Sequence, residues 1–266
     1  MSRRRGSLGP IPRVIDLNVD AGELPGPEGL ALDRRLFLYA SSTSIACGGH
    51  AGDAVRMGET ARAALDAGVA VGAHPGYADR EGFGRRELGL TPAETADLVR
   101  TQCAALADAL PPAGGALQHV KLHGALYHRA ASDRAVAAAV ADAVIALDPR
   151  LIVVGMPRSY LALACAERGL TYAREAFADR GYAPDGRLLP RSEPGGVITG
   201  EAIPARAVQM VRDGVLAPNG TPVPVGFDTL CLHSDTPGAG DGAAGVRLAL
   251  DAAGISVAPL ATVLRR

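Results

Sequence analysis

Short runs rich in β-branched and apolar residues alternate along the chain with stretches of helical period. The β-type runs fall at 14–20, 42–48, 69–74, 117–123, 151–156, 171–176 and 229–235. Between them, apolar residues recur at three- and four-residue spacing, which predicts helices over 28–40, 53–67, 91–110, 133–147, 158–168, 201–213 and 240–253. Asp53 reads as the N-cap of the second helix, and Thr91-Pro92 with Glu94 as a capping box opening the third. Seven strands alternating with helices predict an α/β fold whose parallel strands close into a barrel. The expected organisation is a flexible tail over 1–12 and a single barrel domain over 13–266. The Gly-, Pro- and Arg-rich stretch 177–200 reads as a long loop, and loops of that length are usually functional.

Strand parity then sorts the side chains. Asp16, Asn18 and Asp20 share one face of the first strand, opposite Ile15, Leu17 and Val19. His119, Lys121 and His123 share a face of the fourth, and Cys231, His233 and Asp235 a face of the seventh. A lumen filled for stability alone is Val, Ile and Leu. Acids, imidazoles and an amine must instead be hydrogen-bonded or solvated. Asp20, His50, His74, His123, His233 and Asp235 also fall toward strand C-termini, the end where barrel enzymes place their chemistry. An Asp with two or three His can hold a divalent metal and polarise water. The same groups can work without metal, a carboxylate serving as base and Lys or His⁺ stabilising an oxyanion. Both routes stay open. Two histidines beside Lys121, together with burial, predict a lowered lysine pKa.

Composition narrows the field. Of 266 residues, 48% are apolar, and 27 basic against 28 acidic side chains leave a net charge of −1. Bulk attraction to nucleic acid or to anionic membranes is thereby excluded. No apolar run approaches the ~18 residues of a membrane span, and none follows Arg3-Arg4-Arg5 as a signal peptide requires. Cys47, Cys103, Cys165 and Cys231 form no CxxC, which indicates neither a disulfide framework nor a thiolate zinc site and favours a cytoplasmic setting. Lys121 is the only lysine and lies between Val120 and Leu122, so the chain has no Walker A lysine. Gly240-x-Gly242-x-x-Gly245 has dinucleotide-loop spacing but lacks the acid about 20 residues on.

Six ordered segments carry a family resemblance: D-L-N-V-D-A-G-E (16–23), S-I-A-C-G-G-H-A-G-D (44–53), G-A-H-P-G-Y-A-D-R-E-G-F-G-R-R (72–86), V-K-L-H-G-A-L-Y (120–127), E-A-F-A-D-R-G-Y (175–182) and C-L-H-S-D-T-P-G-A (231–239). Together they resemble the LamB/YcsF family. That resemblance implies a seven-stranded (β/α) barrel of the glycoside hydrolase/deacetylase type. It also implies ATP-dependent opening of the lactam of 5-oxoproline to L-glutamate, with ATP handled by partner subunits B and C. On this chain the implied catalytic set is Asp20, His50, His74, Lys121 and His123. Asn18, Glu23, Asp53, Arg85, Arg86, Glu175, His233 and Asp235 are the candidate contacts to substrate or anion. Asp20, His50, His74 and His123 are the candidate ligands of a divalent metal. The alternatives are a free-standing metal-dependent deacetylase or amidase, and a non-catalytic binding protein of the complex. Glu175, Asp179 and Arg180 read either as reaching the barrel mouth or as pairing within a loop, the latter favoured. Cys47 reads as a buried small hydrophobe. The chain departs from the family pattern at Val19, Ala21, Ser44, Gly49, Leu122 and Ser234, all neighbours of the charged and histidine positions. Reaction class is therefore expected to carry over more firmly than substrate.

Overall fold

The computed structural model describes residues 14–112, 115–232 and 238–265. Its centre is a closed barrel of parallel strands: β1 (Val14–Ala21), β2 (Ser42–Ala46), β3 (Ala70–His74), β4 (His119–Lys121), β5 (Ile152–Gly155), β6 (Tyr172–Phe177) and β7 (Thr229–Leu232). Each strand pairs with the next, and β1 pairs with both β2 and β7, which closes the ring. Around it lie α1 (Gly26–Phe37), α2 (Ala54–Asp66), α3 (Pro92–Ala109), α4 (Gly124–Ser132), α5 (Arg134–Leu147), α6 (Tyr160–Arg168), α7 (Ala202–Asp213) and α8 (Ala239–Ala252). The expected tail over 1–12 lies outside the described residues. No helix among the described residues is long and apolar enough to cross a membrane.

The seven expected strands form where the pattern puts them, with ends shifted by one to a few residues; the end of the seventh, 233–235, lies outside the described residues. Helix caps behave likewise. Asp53 accepts the Arg56 N–H at 2.9 Å, and Thr91 and Glu94 close their reciprocal box. Three elements are not foreseen by the pattern. The helix α4 follows β4 almost directly, and its buried face is only Leu126, Tyr127 and Ala130. The two-residue strand β8 (Ser256–Val257) and the four-residue helix α9 (Leu260–Val263) are too short to show a period.

The register explains why polar residues gather inside. Asn18 pairs with Ser42 and Asp20 with Ser44. Gly72 lies beside His119, Lys121 beside Val154, and Glu175 beside Thr229. These positions share the inward face, whereas Ile15, Leu17 and Val19 pack in the apolar layer between strands and helices. Gly72 is dictated by this arrangement: a Cβ there would sit 2.2 Å from the His119 ring. At the lower end Ile152, Val154 and Ala173 meet Leu260 of α9 in a small apolar cluster of their own. The loop expected over 177–200 yields its first residue to β6, and the remainder has no helix or named strand but is tied down. Arg180 donates to the carbonyls of Gly196 (2.8 Å) and Leu189 (2.6 Å).

Candidate active site

The upper lumen is built around Lys121. Its ammonium pairs with Asp20 Oδ1 at 2.6 Å and Glu175 Oε1 at 3.1 Å, and donates to Asn18 Oδ1 at 2.9 Å. All four side chains are buried. Burial pushes the lysine pKa down, but Asp20, then the Cys231 sulfur at 3.2 Å and Glu175, push it up by more, and it ends well above the ordinary value. The lowering expected from sequence is thus reversed. Parity along β4 reveals the neighbouring histidines but not the acids facing Lys121 across the lumen. His119, on the same face of β4, is not cationic: it is lowered to about 3, first by burial and then by the lysine itself.

Beside this ion cluster lies a second group. Glu23, His50, His74 and His123 are all buried and offer ligand atoms within 4.8 Å of one another. Glu23 Oε1 lies 3.1 Å from His50 Nε2 and 3.3 Å from His123 Nδ1. Two backbone carbonyls assign the tautomers. His74 Nδ1–H donates to the Lys121 carbonyl at 2.7 Å, and His123 Nε2–H to the Phe83 carbonyl at 2.8 Å. In the neutral rings, the nitrogens left bare are His74 Nε2 and His123 Nδ1, and they face each other at 3.0 Å. His50 and His123 are lowered to about 2, chiefly by burial. Bare nitrogens aimed at one another beside a carboxylate call for a positive centre between them. Outer N–H groups held by carbonyls are the usual support of metal-binding imidazoles. The donor set fits a divalent metal ion. It differs from the expected one in a single member: Glu23 takes the place given to Asp20, which stands 3.5 Å from His74 Nε2 and is committed to Lys121.

A cleft of about 310 Å³ opens over both groups. Asp20, His74, Lys121, His123 and Glu175 form its inner wall, and Tyr127, His128, Arg85, Arg180 and Arg191 part of its outer one. The structure therefore brings Asn18, Asp20, Glu23, His50, His74, Lys121, His123 and Glu175 together, with Arg85 at the cleft. Asp53 stands apart from this group as an exposed helix cap. Arg86 points away and pairs with Asp79 and with Glu81 (3.0 Å). The loop-pairing reading of Glu175 gives way to a place in the lumen. His233 and Asp235 lie outside the described residues. Cys47 is buried, as its parity indicates. Gly240 and Gly245 make close helix packing: a Cβ would meet Arg35 or Pro204 at 2.9 Å. Sequence reasoning passes over Tyr127, His128 and Arg191. The first sits inside a quoted segment, but α4 is too short for its period to place the ring; the last lies in a loop with no period at all.

Two of the departures from the family pattern acquire reasons here. Ser44 Oγ pairs with His119 Nε2 at 3.2 Å. Gly49 leaves the space in which Gln102 bonds both backbone groups of Gly76, at 3.1 and 2.7 Å.

Strands of a closed parallel barrel delivering acid, imidazole and amine groups to one mouth define the class: a (β/α)-barrel protein with a polar site at the strand C-termini. Within that class the chain belongs to the LamB/YcsF family, whose model matches residues 15–265. It is 51% identical to the 5-oxoprolinase A subunit of Methylococcus capsulatus over 93% of this chain and 96% of the relative. It is 49% identical to the protein of the same name from Chloroflexus aggregans, over 91% and 97%. Among solved structures it is similar to the lactam utilization protein of Thermus thermophilus, with 46% identity and a TM-score of 0.86, covering 92% of this chain and 98% of that one.

Proposed function

We propose that this chain is the A subunit of an ATP-dependent 5-oxoprolinase, a hydrolase that opens the activated lactam of 5-oxoproline to L-glutamate. The observation that carries the reading is the buried Lys121–Asp20–Glu175 cluster at the floor of the cleft, in a chain about half identical to proteins of that name. A lactam is a resonance-stabilised amide with a poor leaving group, so it needs prior activation. With no Walker A lysine here, ATP and the activating step belong to partner subunits B and C. This chain then supplies the water-attack step.

Asp20 is the candidate base. Lys121 pairs with it at 2.6 Å, and its other oxygen faces His74. The Lys121 ammonium is the fixed positive charge for the developing oxyanion, preorganised in a water-poor site. In the metal-free route His74, beside Asp20, is the candidate proton carrier toward the departing nitrogen. Arg85 and Arg191 at the outer wall suit the substrate carboxylate or a phosphoryl group, because guanidinium forks match such oxygens. Glu23, His50, His74 and His123 would hold a divalent metal, which when bound polarises a carbonyl oxygen or a water. The same four residues favour the second reading, a free-standing metal-dependent deacetylase or amidase.

The deciding assay is ATP-dependent glutamate release from 5-oxoproline, with and without subunits B and C. The proposal expects release only when all three are present, and abolished by Asp20→Asn or His123→Ala. No release with matched partners overturns it. Turnover by the lone chain that a chelator stops selects the second reading. Intact complex activity in both variants leaves only a binding role.

A further inference from the structure

The lower lumen contains an acid that no step above uses. Asp16 is completely buried, below the cleft and out of reach of any substrate. Its carboxylate accepts three hydroxyl protons: Ser41 at 2.7 Å, Ser42 at 2.8 Å and Thr229 at 2.5 Å. The Ser41 oxygen already accepts the Leu17 N–H at 2.9 Å, which leaves its proton for Asp16.

The Thr229 bond fixes a direction. A hydroxyl has one proton, and with that proton on Asp16 the oxygen of Thr229 remains an acceptor. Asn18 Nδ2 fills it at 2.7 Å and also reaches Glu175 Oε1 at 3.1 Å. The amide oxygen of Asn18 must then point the other way, to Lys121 Nζ at 2.9 Å. Turned over, the amide would set its NH₂ against the ammonium and its oxygen against the Glu175 carboxylate, two repulsive contacts in a dry interior.

We propose that Asp16 is a positioning residue of the site: from the barrel floor it sets the direction of the Thr229–Asn18 chain that presents an acceptor to the Lys121 ammonium. The catalytic consequence rests on the role given to Lys121 above; the hydrogen-bond direction does not. In Asp16→Asn an amide NH₂ can meet the Thr229 oxygen. The Thr229 proton then turns toward Asn18 Nδ2, donor against donor, so the amide loses its anchor at Thr229 and Asn18 Oδ1 is no longer held on Lys121, which keeps Asp20 and Glu175. Thr229→Val cuts the same link with little change of shape. Thr229→Ser keeps it. Ser42→Ala removes one donor to Asp16 and leaves the link whole.

The test exploits the single lysine of the sequence. Side-chain ¹⁵N-lysine labelling gives one ammonium resonance, that of Lys121. The expected result is a shifted resonance and hydrogen exchange faster by about tenfold or more in Asp16→Asn and Thr229→Val. Wild-type behaviour is expected in Thr229→Ser and Ser42→Ala. In the assembled complex, kcat falls about 10- to 100-fold in the first pair at unchanged KM. An unchanged resonance in a folded Asp16→Asn overturns the proposal, as does a Ser42→Ala shift equal to that of Thr229→Val. Should Asp16→Asn fail to fold, the Thr229 pair decides. A resonance that moves as expected in a protein without lactam turnover sustains the positioning role and refutes the functional reading.

Discussion

Gly72→Ala puts a single methyl group into the lumen and measures how tightly it is filled. The new Cβ would lie 2.2 Å from both Cδ2 and Nε2 of His119 and 2.4 Å from Cε1, more than 1 Å inside ordinary contact. The strand cannot retreat, because Gly72 is registered against β2 on one side and β4 on the other. The ring must leave its place instead, and the Ser44–His119 hydrogen bond goes with it. Overpacking costs about 1–3 kcal/mol and the lost bond about 1 kcal/mol, so the expected destabilisation is about 2–4 kcal/mol. Chemical denaturation gives that figure, and the melting temperature should drop by roughly 5–15 °C. His119→Ala alone is also destabilising, through the cavity it leaves. Combined with Gly72→Ala it should be no worse than alone, a coupling of about 2–4 kcal/mol in the double-mutant cycle. Additive losses would falsify the inward placement of His119 beside Gly72, and with it the packing argument for the polar lumen.

Three further outcomes follow from the same geometry. Lys121→Met leaves the buried carboxylates of Asp20 and Glu175 facing each other and should cost about 3–5 kcal/mol in urea unfolding as well as turnover, and Lys121→Arg should not restore activity; a stability near wild type would refute the buried ion cluster. Glu23→Gln removes the charge shared by His50 and His123, and calorimetric titration with zinc or manganese should show affinity down at least about tenfold, with Asp53→Asn unchanged; equal affinities would remove Glu23 from the donor set. Asp16 has its pKa raised from 3.8 to about 6, mainly by burial. The native protein therefore binds the extra proton in that window: the charged form costs roughly 3 kcal/mol above it, and the cost fades as pH falls toward 3.8. Unfolding curves of wild type and Asp16→Asn should differ by that slope between about pH 4 and 7, and parallel curves would show that Asp16 does not titrate there.

Much of the site is legible from strand parity because the barrel converts alternation into direction. Asp16, Asn18 and Asp20, and His119 with Lys121, point inward as the period-2 pattern requires. The alternation stops at strand ends, and its guidance stops with it. Glu23 and His50 lie beyond their strands, and only the turn that follows decides that Glu23, rather than Asp20, completes the cluster with the three imidazoles. Arg85 and Arg86 are adjacent, yet Asp79 captures the second and leaves the first at the cleft, a choice made by loop geometry. Glu175 stands in one segment with Asp179 and Arg180 and resembles a loop group, although it occupies an inward position of β6. The direction of the Lys121 shift escapes the sequence for a related reason: its partners come from β1 and β6, more than 50 residues away along the chain.

The apolar cluster of Ile152, Val154, Ala173 and Leu260 acts as a stopper beneath the polar column. A vessel sealed at its base makes the upper opening the common door for ligand entry and exit, so turnover is coupled to whatever loops stand over that door. It also gives the last stretch of chain an influence out of proportion to its length. Shaving away α9 would uncover Ile152 and Val154 and is expected to admit water from underneath, weakening the buried pairs of Lys121 with Asp20 and Glu175.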